Sequence, residues 1–502
     1  IFYNRLLWSG IGLLIFGFVY RTFSFSQQAF SFNFFRKEGE SITKKNFGSI
    51  LSVKLPKVSF DHSFLQHLKL SWSISNTDLL YIIKGWPFII ITIIGVLISL
   101  VTITVSGEIF GTSTLPVTWQ MLALPGTFFG LFANLLTFLY AGIVLHRSQT
   151  YNVDQLLHVT PIPNWALLLS SFFAVLKMQA ILLSTIILVG VGIQLYNGYY
   201  NLELGLYLFD LYGIQFIHLI IWALLAIFVH TWFKNYYLGF FLLLLISIGI
   251  SFLDGVGIEQ AIFKYNQAPG TPYSDMNGYG SSLGLYYIYK IYWLMLGIAL
   301  YIISIVFFRR GLPERFKQRW ESAKKEFTPL LSLLLMFSLG SFLFIGGYIY
   351  YVNNIENEYV SSKEQEAQRA QWEINYGKYE HIPQPRIVSS KIDLDIFPET
   401  RDFKAKGTYI LKNKTLFAID SIHIDHSSDE STFDFEAAHK IVLEDDSMNY
   451  DIYKLTEALQ PGDSVVFNFE IWNKPNTMLR NNSPILENGT FINNGLFPRI
   501  GY

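Results

Sequence analysis

Chemistry in this chain would have to come from a short list of side chains. None of the 502 residues is cysteine, which removes disulfides, thiolate metal sites and cysteine nucleophiles. His423 and His426 form an H-x-x-H within the alternating stretch that starts at Ile422. On a strand, positions three apart point to opposite faces, which argues against one shared metal ion. Glu380-His381 is followed by Pro383, which precludes a helix there. Asp393, Asp395 and Glu399 also alternate, and read as a solvated strand face rather than an acid–base pair. No G-x-x-x-x-G-K-[S/T] loop occurs, so any ATP used by this protein is bound by another chain. On these grounds no catalytic, metal-binding or cofactor-binding residue is assigned.

The most informative stretch is His146 to Pro163. Val153, Leu156, Leu157 and Thr160 fall on one face of a short helix, at i, i+3, i+4 and i+7, and Thr160-Pro161 ends it. Two readings stay open on pattern alone: a docking lever for a cytosolic partner, or a loop that hugs the membrane. Lys177 is expected to begin the next span and to snorkel to the headgroups.

The elements that must position these residues are strongly apolar. The chain is 51% hydrophobic and 15% charged, against about 25% charged in soluble domains. Net charge is -1, which gives no electrostatic reason to expect nucleic acid. Crossing a bilayer takes about 20 apolar residues in helical form. Such runs lie near 6–22, 86–105, 124–145, 178–196, 212–232, 236–254, 289–308 and 329–352. These runs lack the Asp or Glu pairs that a proton- or sodium-driven carrier commonly shows, which weighs modestly against a secondary transporter. Tyr199, Tyr200, Tyr207 and Tyr212 fit an interfacial aromatic belt.

Basic residues set the expected orientation. Segment 21–84 carries Arg21, Arg36, Lys37, Lys44, Lys45, Lys54, Lys57, Lys69 and Lys84, and segment 309–325 carries Arg309, Arg310, Arg315, Lys317, Arg319, Lys324 and Lys325. Connections 106–123 and 197–211 have no Lys or Arg, and 255–288 has only Lys264. This places 21–84, 146–177 and 309–328 in the cytoplasm and everything after Val352 outside it. Beyond Val352, Ile355 to Tyr379 reads as a solvated helical stalk. After Pro383 and Pro385 the period changes from 3.6 to 2, predicting short antiparallel strands in a sandwich or saddle-like sheet. Ile1 in place of Met and the unclosed stretch Gly489 to Tyr502 suggest a piece of a longer polypeptide. The expected fold class is thus a membrane all-α multi-span bundle followed by a mainly-β extracytoplasmic domain.

Two resemblances refine this. Arg147 after an apolar helix, then Asp154-Gln155-Leu156-Leu157-His158-Val159-Thr160-Pro161-Ile162, resembles the cytoplasmic region of type-2 ABC exporter permeases. The resemblance implies a six-span permease unit over 86–308, with 6–22 the last span of a preceding unit and 23–85 a cytoplasmic linker with amphipathic segments. It also implies that Arg147, Asp154, Leu156, Leu157, Thr160 and Pro161 form the loop on which a separate ATPase subunit pushes. Tyr376 to Ile424, followed by "YKLTEALQPGDSVVFNFEI" and "NGTFINNGLFPRIGY", resembles the amino-terminal β-domain of aminopeptidase N-like gluzincins, as found fused to permease spans in bacteria. This implies a basic loop at 309–328, an additional span at 329–352, a stalk at 353–385 and an incomplete β-domain at 386–502.

What the fused family uses for catalysis, an H-E-x-x-H zinc helix with a downstream Glu, is absent from these residues, as is G-A-M-E-N. By resemblance, zinc belongs to a peptidase part outside this chain, and ATP to a partner subunit. The expected partners are that ATPase, a second permease unit, membrane lipid and a peptide substrate. The expected location is the bacterial inner membrane, with the carboxy-terminal domain periplasmic. A membrane-anchored peptidase or binding module with non-transporting spans is the alternative.

Overall fold

The computed structural model of the chain describes residues 63–502, save 107, 110–111, 281, 309–315, 358, 428–429, 476–482 and 487–488, together with positions 10, 12–13 and 16–17. Most of the span expected at 6–22, the 23–62 part of the linker and residues 309–315 of the basic loop lie outside the described residues.

Two architectures follow one another. The first is helical: α1 (Phe64–Ile83), α2 (Trp86–Ser106), α3 (Thr118–Thr150), α4 (Asp154–Val159), α5 (Asn164–Tyr196), α6 (Leu204–Trp232), α7 (Tyr236–Phe252), α8 (Ser282–Val306), α9 (Phe316–Glu326) and α10 (Pro329–Tyr351). Among the described residues, five helices are long and apolar enough to cross a membrane, contributed by α3, α5, α6, α8 and α10. The bent pair α1 and α2, which meet at 67°, adds a sixth if it is counted as one span. The apolar runs predicted within 86–352 each fall on one of these helices, although α7 has only 17 residues.

Several helices start earlier than hydropathy suggests. α5 begins at Asn164, directly after Pro163 fixes an extended backbone. Lys177 therefore lies in the body of α5 rather than at its start. Its ammonium donates to Ser75 Oγ (2.7 Å), Asn76 Oδ1 (2.6 Å) and the Trp72 carbonyl (3.2 Å), and sits 3.4 Å from the Trp72 ring centroid. It ties α5 to α1 instead of snorkelling. Tyr207 and Tyr212 are likewise internal: the Tyr207 hydroxyl donates to Gln194 Oε1, and Tyr212 donates to the Ala180 carbonyl. Of the four tyrosines expected in a belt, Tyr200 is exposed and Tyr199 half-buried.

The bundle is organised inside out. α1 buries Ser71, Ser75, Asp78 and Ile82, a single stripe, while Leu65, Trp72 and Leu80 stay exposed. α10 buries only Ser338 and Ile349, leaving Leu333, Phe337 and Phe344 on the outside. α6 runs through the centre and is buried almost continuously from Leu219 to Thr231. Close helix approach is permitted by glycine: a Cβ on Gly142 (α3) or Gly239 (α7) would lie 2.4 Å from the His230 ring of α6.

The second architecture is antiparallel β, with strands β1 (Arg386–Phe397), β2 (Asp402–Lys412), β3 (Ile419–Asp425), β4 (Glu430–Phe435), β5 (His439–Asp445), β6 (Tyr450–Leu459), β7 (Ser464–Asn473) and β8 (Arg499–Ile500). One sheet has the order β1-β2-β7-β4 and the other β8-β3-β6-β5. Alternate residues of β2 and β7, among them Phe403, Ala405, Leu411, Phe467 and Ile471, meet Ile422, Ile424 and Leu455 of the other sheet in one core. The large rings fit because Gly407 leaves room for Phe469, whose Cζ would sit 2.1 Å from a Cβ there. β1 is an edge strand with Asp393 and Asp395 exposed, as the alternation predicts.

Between the two parts, helix α11 (Ser362–Tyr376) forms the stalk and opens with a capping box from Ser361 and Glu364. Its last turn is clamped to the sheet. Trp372 stacks on Tyr502 and Tyr376 on Tyr450, with centroids 4.7 and 4.3 Å apart. The Tyr376 hydroxyl donates to Asp445, and Tyr502 donates to Glu373 at 2.6 Å.

His423 sits under this clamp, its Nδ1 2.9 Å from the Tyr450 hydroxyl. Burial pushes its imidazole down from 6.5 to about 4. A base depressed in the folded state contributes stability that is complete above pH 6.5 and is lost as pH falls towards 4. Burial acts the other way on Asp451, raising it to about 6, so the two groups oppose each other in the wild type. The difference between His423→Asn and wild type isolates the histidine. The variant should gain stability relative to wild type as pH falls from 6.5 to 4, by about 2–3 kcal/mol. Thermal unfolding of both proteins across that range is the measurement.

Candidate functional site

The residues predicted to form a coupling loop separate into two groups. Arg147, near the carboxy-terminal end of α3, does not join the others: its guanidinium pairs with Asp78 of α1 and lies 5.3 Å from the Tyr81 ring. It anchors α1 to the bundle. Asp154, Leu156 and Leu157 lie on α4, the short helix expected here, although Val153 and Thr160 flank it as caps rather than lying within it; Asp154 is in the first turn, where the helix dipole favours a carboxylate. The Thr160 hydroxyl donates to the Leu157 carbonyl at 2.5 Å and closes the helix, and Pro161 leads the chain towards α5. The apolar face of α4 is largely uncovered: Leu156 is 75% exposed and Val159 86%, while Leu157 is half-buried.

At the other end of α3 lies a cavity of about 1010 Å³, which sequence reading missed. α3, α6, α7 and α8 enclose it, and the connection between α7 and α8 covers it with Asn266 to Tyr273 and Tyr279. Leu131 and Ile248, both exposed on the bundle surface, lie on its rim. The walls are mainly apolar, with a few polar groups in pairs. Asp210 accepts from the Tyr279 hydroxyl and from Gln215 Nε2, each at 2.6 Å. Lys290, 3% exposed, donates to the carbonyl and side-chain oxygens of Asn266 at 2.6 and 2.9 Å and lies 3.1 Å from His218 Nδ1. Among the described residues, no carboxylate reaches ion-pairing distance of Lys290 and no cation reaches Asp210.

Local structure explains this placement. Phe209–Gln215 is π-helical, so the side chains of Asp210 and Gln215, five apart, stand one above the other. The available signal was a lone acidic residue in Leu204–Trp232 and a lone basic one in Ser282–Val306, each unusual in an apolar helix. Starting those runs at 212 and 289 put Asp210 outside and Lys290 at the boundary. In fact both lie well inside their helices.

The covering connection is also the point at which the stalk attaches. Glu259 accepts from Ser362 N and Oγ, both at 2.8 Å, and from the Tyr359 hydroxyl at 3.0 Å. Gln260 donates to Asn354 Oδ1 at 2.7 Å.

Among the described residues, no group of three or more His, Asp or Glu could hold a metal ion. His423 and His426 do not fit a shared site: His423 faces Tyr450 and Tyr379, and His426 packs on Phe433 with Nε2 3.8 Å from Asp451. Neither a protein-family model nor a curated protein matches the chain.

The Arg147–Asp78 pair yields a direct test. Arg147→Ala leaves a carboxylate that is largely buried without its cation, and should destabilise the helical part by about 3 kcal/mol. Adding Asp78→Ala should restore a large share. A coupling of about 1–3 kcal/mol in a double-mutant cycle on thermal unfolding is the expected outcome, and additive effects would show that the pair is structurally idle.

Proposed function

We propose that this chain is a multi-pass membrane transport subunit, driven by a separate ATPase and carrying a β-domain outside the cytoplasm. The observation that carries the reading is α3, which ends at the uncovered apolar helix α4 and lines the cavity with its other half. A push on α4 would be transmitted along a 33-residue helix to the chamber walls. The inside-out bundle supports a lipid surround, because in water its exposed leucines and phenylalanines would form an aggregation-prone surface. The basic segments put α4 on the cytoplasmic side. On this reading the chain resembles one unit of a type-2 ABC exporter in the bacterial inner membrane. A second permease unit would complete the chamber along the exposed rim at Leu131 and Ile248.

The β-domain extends the proposal. Its resemblance to the first domain of aminopeptidase N-like enzymes supports a role at the exit face, where peptide would be received beside a zinc peptidase part. No catalytic step is assigned to residues of this chain.

The test is retention of an ATPase. Full-length protein purified from its native membrane should carry a stoichiometric ATP-hydrolysing subunit, and Leu156→Asp should reduce its retention at least tenfold while the melting temperature is unchanged. Leu156→Asp with Leu157→Asp should abolish it. If no ATPase is retained by the wild type, the spans serve as an anchor and the transport reading falls.

A further inference from the structure

The polar end of the cavity is built asymmetrically around Asp210. The carboxylate uses two acceptor positions for Tyr279 and Gln215, both neutral donors, and an ionised carboxylate has about four. Remaining capacity faces a chamber in which, among the described residues, no cation pairs with it. Lys290, the other charged residue of the wall, has its donors directed to Asn266 and His218, away from this role.

Around the carboxylate stand aromatic rings. Tyr279 packs edge-on against Tyr273 at 5.2 Å and against Phe209 at 5.7 Å, and Tyr286 and Trp119 line the same chamber. The outer approach is acidic as well. Trp119 Nε1 donates to Asp275 Oδ2 at 3.1 Å, and burial together with the nearby Glu203 and Asp275 pushes the Tyr273 hydroxyl up. An acidic approach, π faces and an uncompensated carboxylate in an apolar chamber all favour the same ligand charge.

A purely structural role for Asp210, pinning Tyr279 of the covering segment to α6, needs an acceptor but no charge. Asparagine would supply one. The π-helical turn that presents the carboxylate to the chamber adds an irregularity that such pinning does not require.

The Tyr286 ring is already faced by the Lys290 ammonium at 5.2 Å and is left out of the site. We propose that Asp210 and the rings of Tyr273 and Tyr279 form a subsite for an organic ammonium group carried on an apolar body, such as the free amino terminus of an apolar peptide or a simple aryl-alkylamine. The ammonium donates to the free lone pairs of Asp210 while its apolar remainder lies along the cavity walls towards Leu131 and Ile248. The inference rests on reading the cavity as a transport chamber, and gives that chamber a substrate class.

Equilibrium binding to the full chain in lipid nanodiscs tests it, using tri-leucine, N-acetyl-tri-leucine and phenethylamine as probes. Tri-leucine should bind at least tenfold more tightly than its acetylated form, and phenethylamine should compete with it. Asp210→Asn should weaken the charged probes at least tenfold, leave the acetylated peptide unchanged, and melt as the wild type does. Asp210→Glu should retain binding. Equal affinity for free and acetylated peptide, no binding of either amine, or an unaltered Asp210→Asn overturns the subsite. Binding of phenethylamine alone supports the ammonium subsite with a simple amine as its source. Should Asp210→Asn fail to fold, the comparison of free and acetylated peptide on wild type decides by itself. Loss of ATPase retention with ammonium binding intact would remove transport and leave a binding chamber, so the two readings fail separately.

Discussion

A bundle whose outside is apolar has to answer every polar group from within, and this constraint shapes the helical part. An unpaired charge in its interior is costly, so each one becomes a fastening. Arg147 meets Asp78, Lys177 meets the polar stripe of α1, and Lys290 meets Asn266. These contacts set which helices can slide and which cannot. α1 is held to α3 and α5 at several points, whereas α4 leaves Leu156 and Val159 exposed. Among these described charges, only Arg147 and Asp78 neutralise each other; Lys177, Lys290 and Asp210 are held by neutral partners.

The same constraint explains what could be read from the residues. Apolar runs marked the helices because length and hydropathy are one-dimensional properties. The alternating stretches after Pro385 marked β2, β3 and β7 because one buried face demands a period of 2. α4 was legible because Thr160-Pro161 must stop a helix. Helix starts were not legible: α5, α6 and α8 begin at Asn164, Leu204 and Ser282, ahead of the runs placed at 178, 212 and 289.

The site divides along the same line. Leu156, on the face that the spacing picked out, stands exposed, and so does Val159, which that face did not include; Arg147 is grouped with the loop by resemblance. Its partner, Asp78, is 69 residues away, and no spacing rule connects them. The cavity was invisible for a similar reason. It depends on α3, α6, α7 and α8 leaving space between them, and on a connection folding back over that space. Lys177, Tyr207 and Tyr212 show the reverse error, being residue types typical of interfaces that here find partners inside.

The connection between α7 and α8 has a mechanical consequence. Its Asn266 is fastened to Lys290 beside the cavity, and its Glu259 is fastened to the first turn of α11. α11 has 15 residues, an arm about 22 Å long, and its far end is clamped to the sheets. A displacement of the β-domain would therefore reach the covering connection through this one helix, and through it the residues beside the chamber.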